Sequence, residues 1–303
     1  MGRLQNIMTL RELLHLPSTN DKPVITVPLT LGPSDKFGPF TQKLQQQNPD
    51  AVEWRADYIV DNFSQAVMWQ QVKLGAQNEL AQKNVSVMTE AKMLAEIDNA
   101  KQEFTANWPV MNQQITKELV GTVFNSIGGF PVILTYRTTS QGGQGEMSPV
   151  EYTTFLVNAL YAGYPFAAVD VEYSLEELLR QKIIDVAHEV SVPVILSYHD
   201  FNMTPKNSTE IILDMSKQPA DIIKLAVMSQ SEKDTQYLLD VTKSAVGSVS
   251  QPLITMSMGE FGKRSRIEGY HYGSEMTFAV LDGTRVSAPG QLTVNDLVQE
   301  WQE

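Results

Sequence analysis

Eight short apolar runs recur along the chain, and their spacing constrains the fold more than any other feature of the sequence. They cover residues 24–29, 51–56, 131–135, 167–171, 193–197, 221–227, 252–256 and 276–281. Most of these runs are continuous rather than alternating, which is typical of parallel strands that are buried on both faces. Segments with helical spacing lie between them, at 174–190, 208–215 and 232–246. Ser174 and Glu177 form a predicted capping box for the first of these helices.

The alternation of strand and helix predicts an α/β fold, the (β/α)8 or TIM barrel, as one domain over residues 1–303. A doubly wound open sheet is the alternative, but no Gly-x-Gly-x-x-Gly motif follows any predicted strand. Most strands start roughly 25–35 residues apart, whereas strands 2 and 3 start about 80 apart. The excess, at 63–129, is Gln-rich and has helical character around 89–104. We expect a helical insertion outside the barrel; a cap over its mouth or an oligomer contact is the alternative.

The composition excludes several classes of function. The chain has 23 Lys and Arg against 35 Asp and Glu, a net charge of −12, which argues against binding to nucleic acid or to anionic membranes. It has no cysteine, so disulfides, thiolate metal sites and a cysteine nucleophile are excluded. No apolar run approaches the roughly 20 residues of a membrane span, and the N-terminus has no secretory signal pattern. We therefore expect a cytoplasmic protein.

Ionisable and polar residues are concentrated at the ends of the predicted strands. They are Glu53, Arg55, Arg137, Asp170, Glu172, His199, Lys224, Ser257, Arg266, Ser287 and Gln291. Barrel active sites lie at the carboxyl ends of the strands, so these side chains are expected to share one pocket.

Lys224 and His199 are the strongest candidates for chemistry. Lys224 stands within an apolar run, where burial of an ammonium ion is costly and lowers the pKa of the amine, which favours imine formation. A structural lysine paired with Glu53 or Asp170 is the alternative. His199 follows the fifth strand and could exchange protons near neutral pH, or it could be a structural histidine. The histidines and carboxylates do not show metal-ligand spacing, so we expect no metal site.

Three arginines, Arg55, Arg137 and Arg266, indicate an anionic substrate, because guanidinium binds carboxylate or phosphate in a bidentate manner. Each of them alone would more often be a salt-bridge partner.

These residues belong to segments that resemble the type I 3-dehydroquinate dehydratases, which are (β/α)8 Schiff-base lyases of the shikimate pathway. The matching segments lie at 53–57, 135–138 with 142–143, 169–172, 197–201, 224–228, 256–259 with 265–266, 273–274 with 277–278, and 287–291. The resemblance runs from about residue 23 to 291, apart from the long stretch between strands 2 and 3. Eight motifs in the same order make the match specific.

The resemblance implies that the protein converts 3-dehydroquinate to 3-dehydroshikimate. Lys224 would form an imine with the C3 ketone, and His199 would remove a C2 proton and then assist departure of the C1 hydroxyl. Arg266 would bind the substrate carboxylate. Residues Glu53, Arg55, Arg137, Ser287 and Gln291 would hold the ring hydroxyls or shape the pocket. No cofactor is implied, and a homodimer is a family-level expectation.

One position departs from the family pattern. A glutamate normally precedes the two glycines after the third strand, and it orients and supports the catalytic histidine; here the residue is Gln141. We expect Gln141 to accept a hydrogen bond from the His199 imidazole without stabilising its charged form. The departure also leaves open a catalytically silent binding protein, and a different class I lyase or aldolase is the enzymatic alternative.

Overall fold

The computed structural model describes residues 8–18, 22–82 and 90–302. Eight strands occupy its centre: β1 (Val24–Leu29), β2 (Ala51–Arg55), β3 (Val132–Thr135), β4 (Ala168–Glu172), β5 (Val194–Asp200), β6 (Ile222–Met228), β7 (Leu253–Met258) and β8 (Met276–Phe278). Each of them overlaps one of the predicted apolar runs.

The strands are parallel and pair in the order β7-β6-β5-β4-β3-β2-β1-β8. Each strand up to β7 therefore lies beside its neighbour in sequence, which excludes the doubly wound sheet, in which the strand order reverses. Between β7 and β8, the backbone N–H of Glu275 donates to the Leu253 carbonyl oxygen over 2.8 Å, so the sheet is nearly closed. The barrel prediction is confirmed.

Ten α-helices are found in the described residues. They are α1 (Leu10–Leu13), α2 (Phe37–Gln47), α3 (Gln65–Gln82), α4 (Glu90–Ser126), α5 (Pro149–Leu160), α6 (Glu177–Glu189), α7 (Ser208–Ser216), α8 (Glu232–Val246), α9 (Lys263–Glu268) and α10 (Val294–Glu300). None of these helices is long and apolar enough to cross a membrane.

The predicted capping box on α6 is wrong. The helix begins at Glu177 after Glu176, whose side chain makes no capping hydrogen bond. The reason is that β4 extends to Glu172 and a turn follows it, in which the Leu175 N–H donates to the Glu172 carbonyl oxygen over 3.1 Å. Ser174 lies within that turn and is two residues too early to cap the helix.

The side chains of each strand alternate between two environments. On β6, Ile223, Leu225 and Val227 belong to the apolar layer beneath the helices, whereas Ile222 and Ala226 belong to the barrel interior. Lys224 lies between these two inward positions and therefore points inward as well. This alternation explains how an apolar run directs a charged residue into the barrel.

Helices α3 and α4 occupy most of residues 63–129. Their contact includes the Phe104 ring, whose centroid lies 5.6 Å from those of Trp69 and Trp108. The start of the helix predicted around 89–104 falls at the edge of residues 83–89, which lie outside the described residues. None of the described side chains of 63–129 lines the cavity at the mouth of the barrel, which argues against the cap.

Candidate active site

A cavity opens at the carboxyl ends of the strands. Nine of the residues predicted for the site line it: Glu53, Arg55, Arg137, Gln141, His199, Lys224, Arg266, Ser287 and Gln291. Three others expected to share the pocket, Asp170, Glu172 and Ser257, do not line it; Asp170 and Glu172 lie behind it and pair with Arg137. Sequence reasoning missed the other lining residues, Gly142, Phe201, Ala226, Met256, Met258, Phe278 and Ala288. Most of these are apolar, and their inward positions on the strands are the signal that could have identified them.

Two carboxylates hold the amine of Lys224. Its Nζ lies 3.0 Å from Asp170 Oδ2 and 3.2 Å from Glu53 Oε1, and all three side chains are buried. The Phe278 ring covers the amine, with 4.4 Å between Nζ and the ring centroid. The sequence offered Glu53 or Asp170 as a partner, and the structure uses both. Lys224 is thus fixed at the cavity wall, with its amine facing two carboxylates.

Asp170 connects the charged residues of the site. Its Oδ1 accepts hydrogen bonds from Arg137 Nη2 over 2.7 Å and from Ser197 Oγ over 2.6 Å, while Oδ2 faces Lys224. Burial alone would raise its pKa, but Arg137 and Lys224 outweigh burial and hold the pKa well below its usual range. Asp170 is therefore ionised and stabilises positive charge on the Lys224 nitrogen.

His199 is half-buried beside this network. Burial, together with the positive charges of Arg137, Lys224 and Arg55, lowers its pKa well below the usual value, and Asp170 opposes the shift only in part. Its Nδ1 has no hydrogen-bond partner among the described residues. His199 is accordingly a neutral imidazole at physiological pH, which is the form that can act as a base.

The expectation that Gln141 binds the imidazole is wrong. Gln141 Oε1 instead accepts the backbone N–H of His199 over 2.7 Å. The register explains this: β4 ends opposite Ser197, so the His199 N–H extends past its neighbouring strand and needs another acceptor. Because only an oxygen can accept that N–H, the side-chain nitrogen of Gln141 is directed elsewhere. Gln141 supports the backbone of His199 rather than its ring.

The three arginines differ in their partners. Arg55 makes a bidentate pair with Asp57, over 2.8 and 2.7 Å, and Arg137 pairs with Asp170 and Glu172. The negative partners outweigh burial and raise the pKa of both guanidinium groups. The prediction that all three indicate an anion therefore needs correction, since two of them are already neutralised inside the protein.

Arg266 is the exception. It is buried, but its closest described partners are neutral: the carbonyl oxygen of Phe278 at 3.3 Å, that of Pro289 at 3.5 Å and the Met256 sulfur at 3.8 Å. Its Nε has no partner in the described part of the chain. Burial lowers the pKa of Arg266 to about 10, so the side chain is still cationic at pH 7. A buried cation without a counter-ion at a cavity wall is suited to bind an anionic ligand.

Ser287 and Gln291 lie on the loop between β8 and α10 and bind each other. Gln291 Oε1 accepts the N–H of Ser287 over 2.8 Å and that of Ala288 over 3.1 Å. The loop also contacts the end of β7, where the Gly259 N–H donates to the Pro289 carbonyl oxygen over 3.1 Å. Gly290 has a φ of +76°, and a Cβ there would lie 2.1 Å from the Gly259 oxygen. Glycine at 290 therefore allows the loop to close against the cavity.

Comparison with known proteins identifies the family. The model of the type I 3-dehydroquinase family matches residues 84–302. The chain belongs to this family. A 3-dehydroquinate dehydratase of Lactiplantibacillus plantarum is 30% identical over 284 residues, which is 93% of this chain and 92% of the relative. One from Latilactobacillus sakei is 41% identical over 170 residues, 55% of this chain and 69% of the relative.

Solved structures of type I 3-dehydroquinases share the fold. The enzyme from Clostridium difficile, determined with covalently modified comenic acid, superposes with a TM-score of 0.69 at 26% identity, over 93% of this chain and 91% of its own. The 3-dehydroquinate dehydratase of Geobacillus kaustophilus gives a TM-score of 0.66 at 25% identity, over 93% and 90% of the two chains. The resemblance found in the sequence is confirmed.

Within the described part of this type I 3-dehydroquinase, no group of three or more His, Asp or Glu side chains is placed to hold a metal ion. The chemistry available from its own residues is that of an amine beside two carboxylates, a neutral imidazole and an uncompensated guanidinium.

Proposed function

We propose that the protein dehydrates 3-dehydroquinate to 3-dehydroshikimate, the third step of the shikimate pathway, through an imine on Lys224. The observation that carries this proposal is the content of one cavity: the Lys224 amine between two carboxylates, the neutral His199 imidazole, and Arg266 without a counter-ion. These groups supply a nucleophile, a base and an anion-binding group, and the family to which the chain belongs carries out this reaction.

The first steps follow from the groups around Lys224. Its amine, once a proton has passed to water, adds to the C3 ketone, and the carbinolamine loses water to give a cationic imine. Asp170 and Glu53 lie where this positive charge forms and stabilise it electrostatically. The iminium then acts as the electron sink for the carbon beside it.

His199 serves the following steps. As a neutral imidazole it removes a C2 proton, which gives an enamine, and as imidazolium it returns the proton to the departing C1 hydroxyl. Water leaves, and hydrolysis of the remaining imine releases 3-dehydroshikimate and the free Lys224 amine. The low pKa of His199 favours the second of these steps, because a poorly stabilised imidazolium gives up its proton readily.

Substrate recognition is proposed for the other lining residues. Arg266 binds the carboxylate, since it is the one cavity arginine without an acidic partner in the described residues. Glu53, Arg55, Arg137, Ser287 and Gln291 hold ring hydroxyls or shape the pocket, and Gln141 supports His199. The covalently modified comenic acid in the C. difficile relative supports covalent chemistry in this family.

A direct turnover assay tests the function. 3-Dehydroshikimate is a conjugated enone, so its formation from 3-dehydroquinate is followed by ultraviolet absorbance and mass spectrometry. Turnover of 3-dehydroquinate, and not of other keto acids, is the expected result. Binding without turnover would instead favour a silent binding protein, and turnover of another keto acid would favour a different class I lyase or aldolase.

Replacement of Gln141 by glutamate is expected to move the acidic limb of kcat/KM upward by about one pH unit. A glutamate keeps an oxygen for the His199 N–H and adds a negative charge that stabilises the imidazolium, which raises the pKa of His199. The base is then protonated at higher pH, so activity is lost earlier on acidification. Gln141→Ala is the control, with lower kcat and no upward movement; an unchanged profile in Gln141→Glu would contradict the prediction.

A cytoplasmic homodimer with a single catalytic domain over residues 1–303 is also part of the proposal. Analytical ultracentrifugation at micromolar concentration tests the oligomeric state, with a species of twice the chain mass of 33.8 kDa as the expected result.

A further inference from the structure

The turn that carries Gln141 is attached to the rest of the protein by buried carboxylates. This β3–α5 turn comprises residues 137–146. Asp57 accepts the N–H of Arg137 at Oδ1 over 3.3 Å and that of Gln144 at Oδ2 over 3.0 Å. Glu172 accepts the N–H of Thr138 over 2.8 Å. The first and last parts of the turn are thereby held by Asp57, with Gln141 between them.

Asp57 is bound from a second direction by Arg55. Two hydrogen bonds from the guanidinium bring the number that its carboxylate accepts to four, and its side chain is fully buried. A carboxylate has about four acceptor positions, so Asp57 is saturated. It does not line the cavity, yet it joins a cavity arginine to the turn that supports His199.

The turn has little freedom to move without Asp57 moving too. A Cβ on Gly143 would lie 2.0 Å from the Arg137 carbonyl oxygen, and one on Gly145 would lie 2.3 Å from the Tyr136 ring. The Gly145 N–H also donates to the Arg137 oxygen over 3.0 Å. A displacement at Arg137 or Gln144 is therefore passed to Gln141, and through its 2.7 Å hydrogen bond to the His199 backbone.

We propose that Asp57 is a positioning residue that sets the location of His199 through the β3–α5 turn and Gln141, and that it fixes Arg55 at the same time. The catalytic part of this inference rests on the proposed dehydration. Asp57 then has two separable effects on catalysis. It supports kcat through Gln141 and His199, and it keeps KM low through Arg55.

The test is a double-mutant cycle on the full chain between Asp57→Asn and Gln141→Ala. Asparagine preserves the size of Asp57, but its side-chain N–H groups face the N–H donors that the carboxylate accepts. The turn therefore loses hydrogen bonds that hold it in place. We expect kcat to fall roughly 10- to 100-fold in each single variant, and no further than the larger of the two in the double variant. Losses in kcat that multiply would overturn the proposal, because Asp57 would then act independently of Gln141.

Asp61→Asn is the matched control. Asp61 also holds this turn, through the Glu146 N–H over 2.8 Å, and it accepts the Tyr136 hydroxyl, but it makes no hydrogen bond to Arg55 or to the stretch from Arg137 to Gln144 in the described residues. The Asp61→Asn substitution is expected to lower thermal stability while leaving kcat and KM within about twofold of those of the original protein. A kcat loss in Asp61→Asn equal to that in Asp57→Asn would show general loosening of the turn and would contradict a specific role for Asp57.

The backbone amide resonance of His199 gives a second readout that does not depend on turnover. It is expected to shift in Asp57→Asn and in Gln141→Ala, and to stay in place in Asp61→Asn. If Asp57→Asn folds and the His199 resonance stays in place, the inference is overturned. If the resonance moves but the original protein does not turn over 3-dehydroquinate, only the proposed function is overturned. Should Asp57→Asn not fold, Asp57→Glu, which keeps the charge but lengthens the side chain, undergoes the same two measurements.

Discussion

Replacement of Lys224 by alanine lowers kcat by roughly 10⁴-fold or more while the barrel still folds, if the imine is obligatory. No other described lysine lines the cavity, so no second amine can take its place. Asp170 loses one of its cationic partners but keeps Arg137 at 2.7 Å. The free energy of unfolding is thus expected to fall by roughly 3 kcal/mol rather than collapse.

Steady-state kinetics with 3-dehydroquinate, together with thermal melting, measures both effects. Lys224→Gln keeps a hydrogen-bond donor near the two carboxylates but cannot form an imine, so it should be equally inactive. Lys217→Ala removes an exposed lysine and should change neither kcat nor folding. A residual rate above about one-hundredth of the original in folded Lys224→Ala would show that the reaction does not need the imine.

Replacement of Arg266 by methionine is expected to have opposite effects on binding and on stability. Loss of the guanidinium removes a charge-assisted pair with the substrate carboxylate, worth roughly 2–5 kcal/mol, which raises the Kd about 30- to 5000-fold. Burial lowers the pKa of Arg266 to about 10, and this corresponds to a folding penalty on the order of 3 kcal/mol at pH 7. The unliganded variant is expected to be more stable because methionine carries no such penalty.

Isothermal titration and denaturant unfolding separate these two effects. Arg264→Met is the control, because Arg264 pairs with Glu268 near the surface and does not line the cavity. It should leave substrate affinity unchanged. A Kd unaffected by Arg266→Met would show that Arg266 does not bind the carboxylate, and a less stable variant would show that its charge is compensated within the protein.

Much of the architecture could be predicted from the sequence because parallel buried strands leave a strong pattern. Each apolar run predicts one strand. Because such strands must be covered on both faces, their alternation with helices along the chain predicts the barrel. The same pattern locates Lys224: a charged residue within a continuous apolar strand has to point into the barrel, where it meets other inward residues such as Asp170. The cavity is therefore lined by nine of the predicted residues, and Asp170 lies behind Lys224.

The partners of those residues could not be predicted, because they depend on how far each strand extends past its neighbour. Arg55 and Arg266 each have a carboxylate two residues further on, Asp57 and Glu268. Only Asp57 folds back onto its arginine, whereas Glu268 pairs with Arg264. Gln141 reads as an imidazole partner, but the stagger of β4 against β5 presents the His199 backbone N–H to it instead. Long-range register decides such contacts, and single-residue patterns do not encode it.

Borohydride trapping tests whether an imine forms on Lys224. The protein is incubated with 3-dehydroquinate, reduced with sodium borohydride, and examined by intact mass and peptide mapping. We expect one reduced adduct per chain, on the peptide that contains Lys224, and no adduct in Lys224→Ala. A folded protein that gains no adduct, or one whose adduct lies on another lysine, would contradict this expectation.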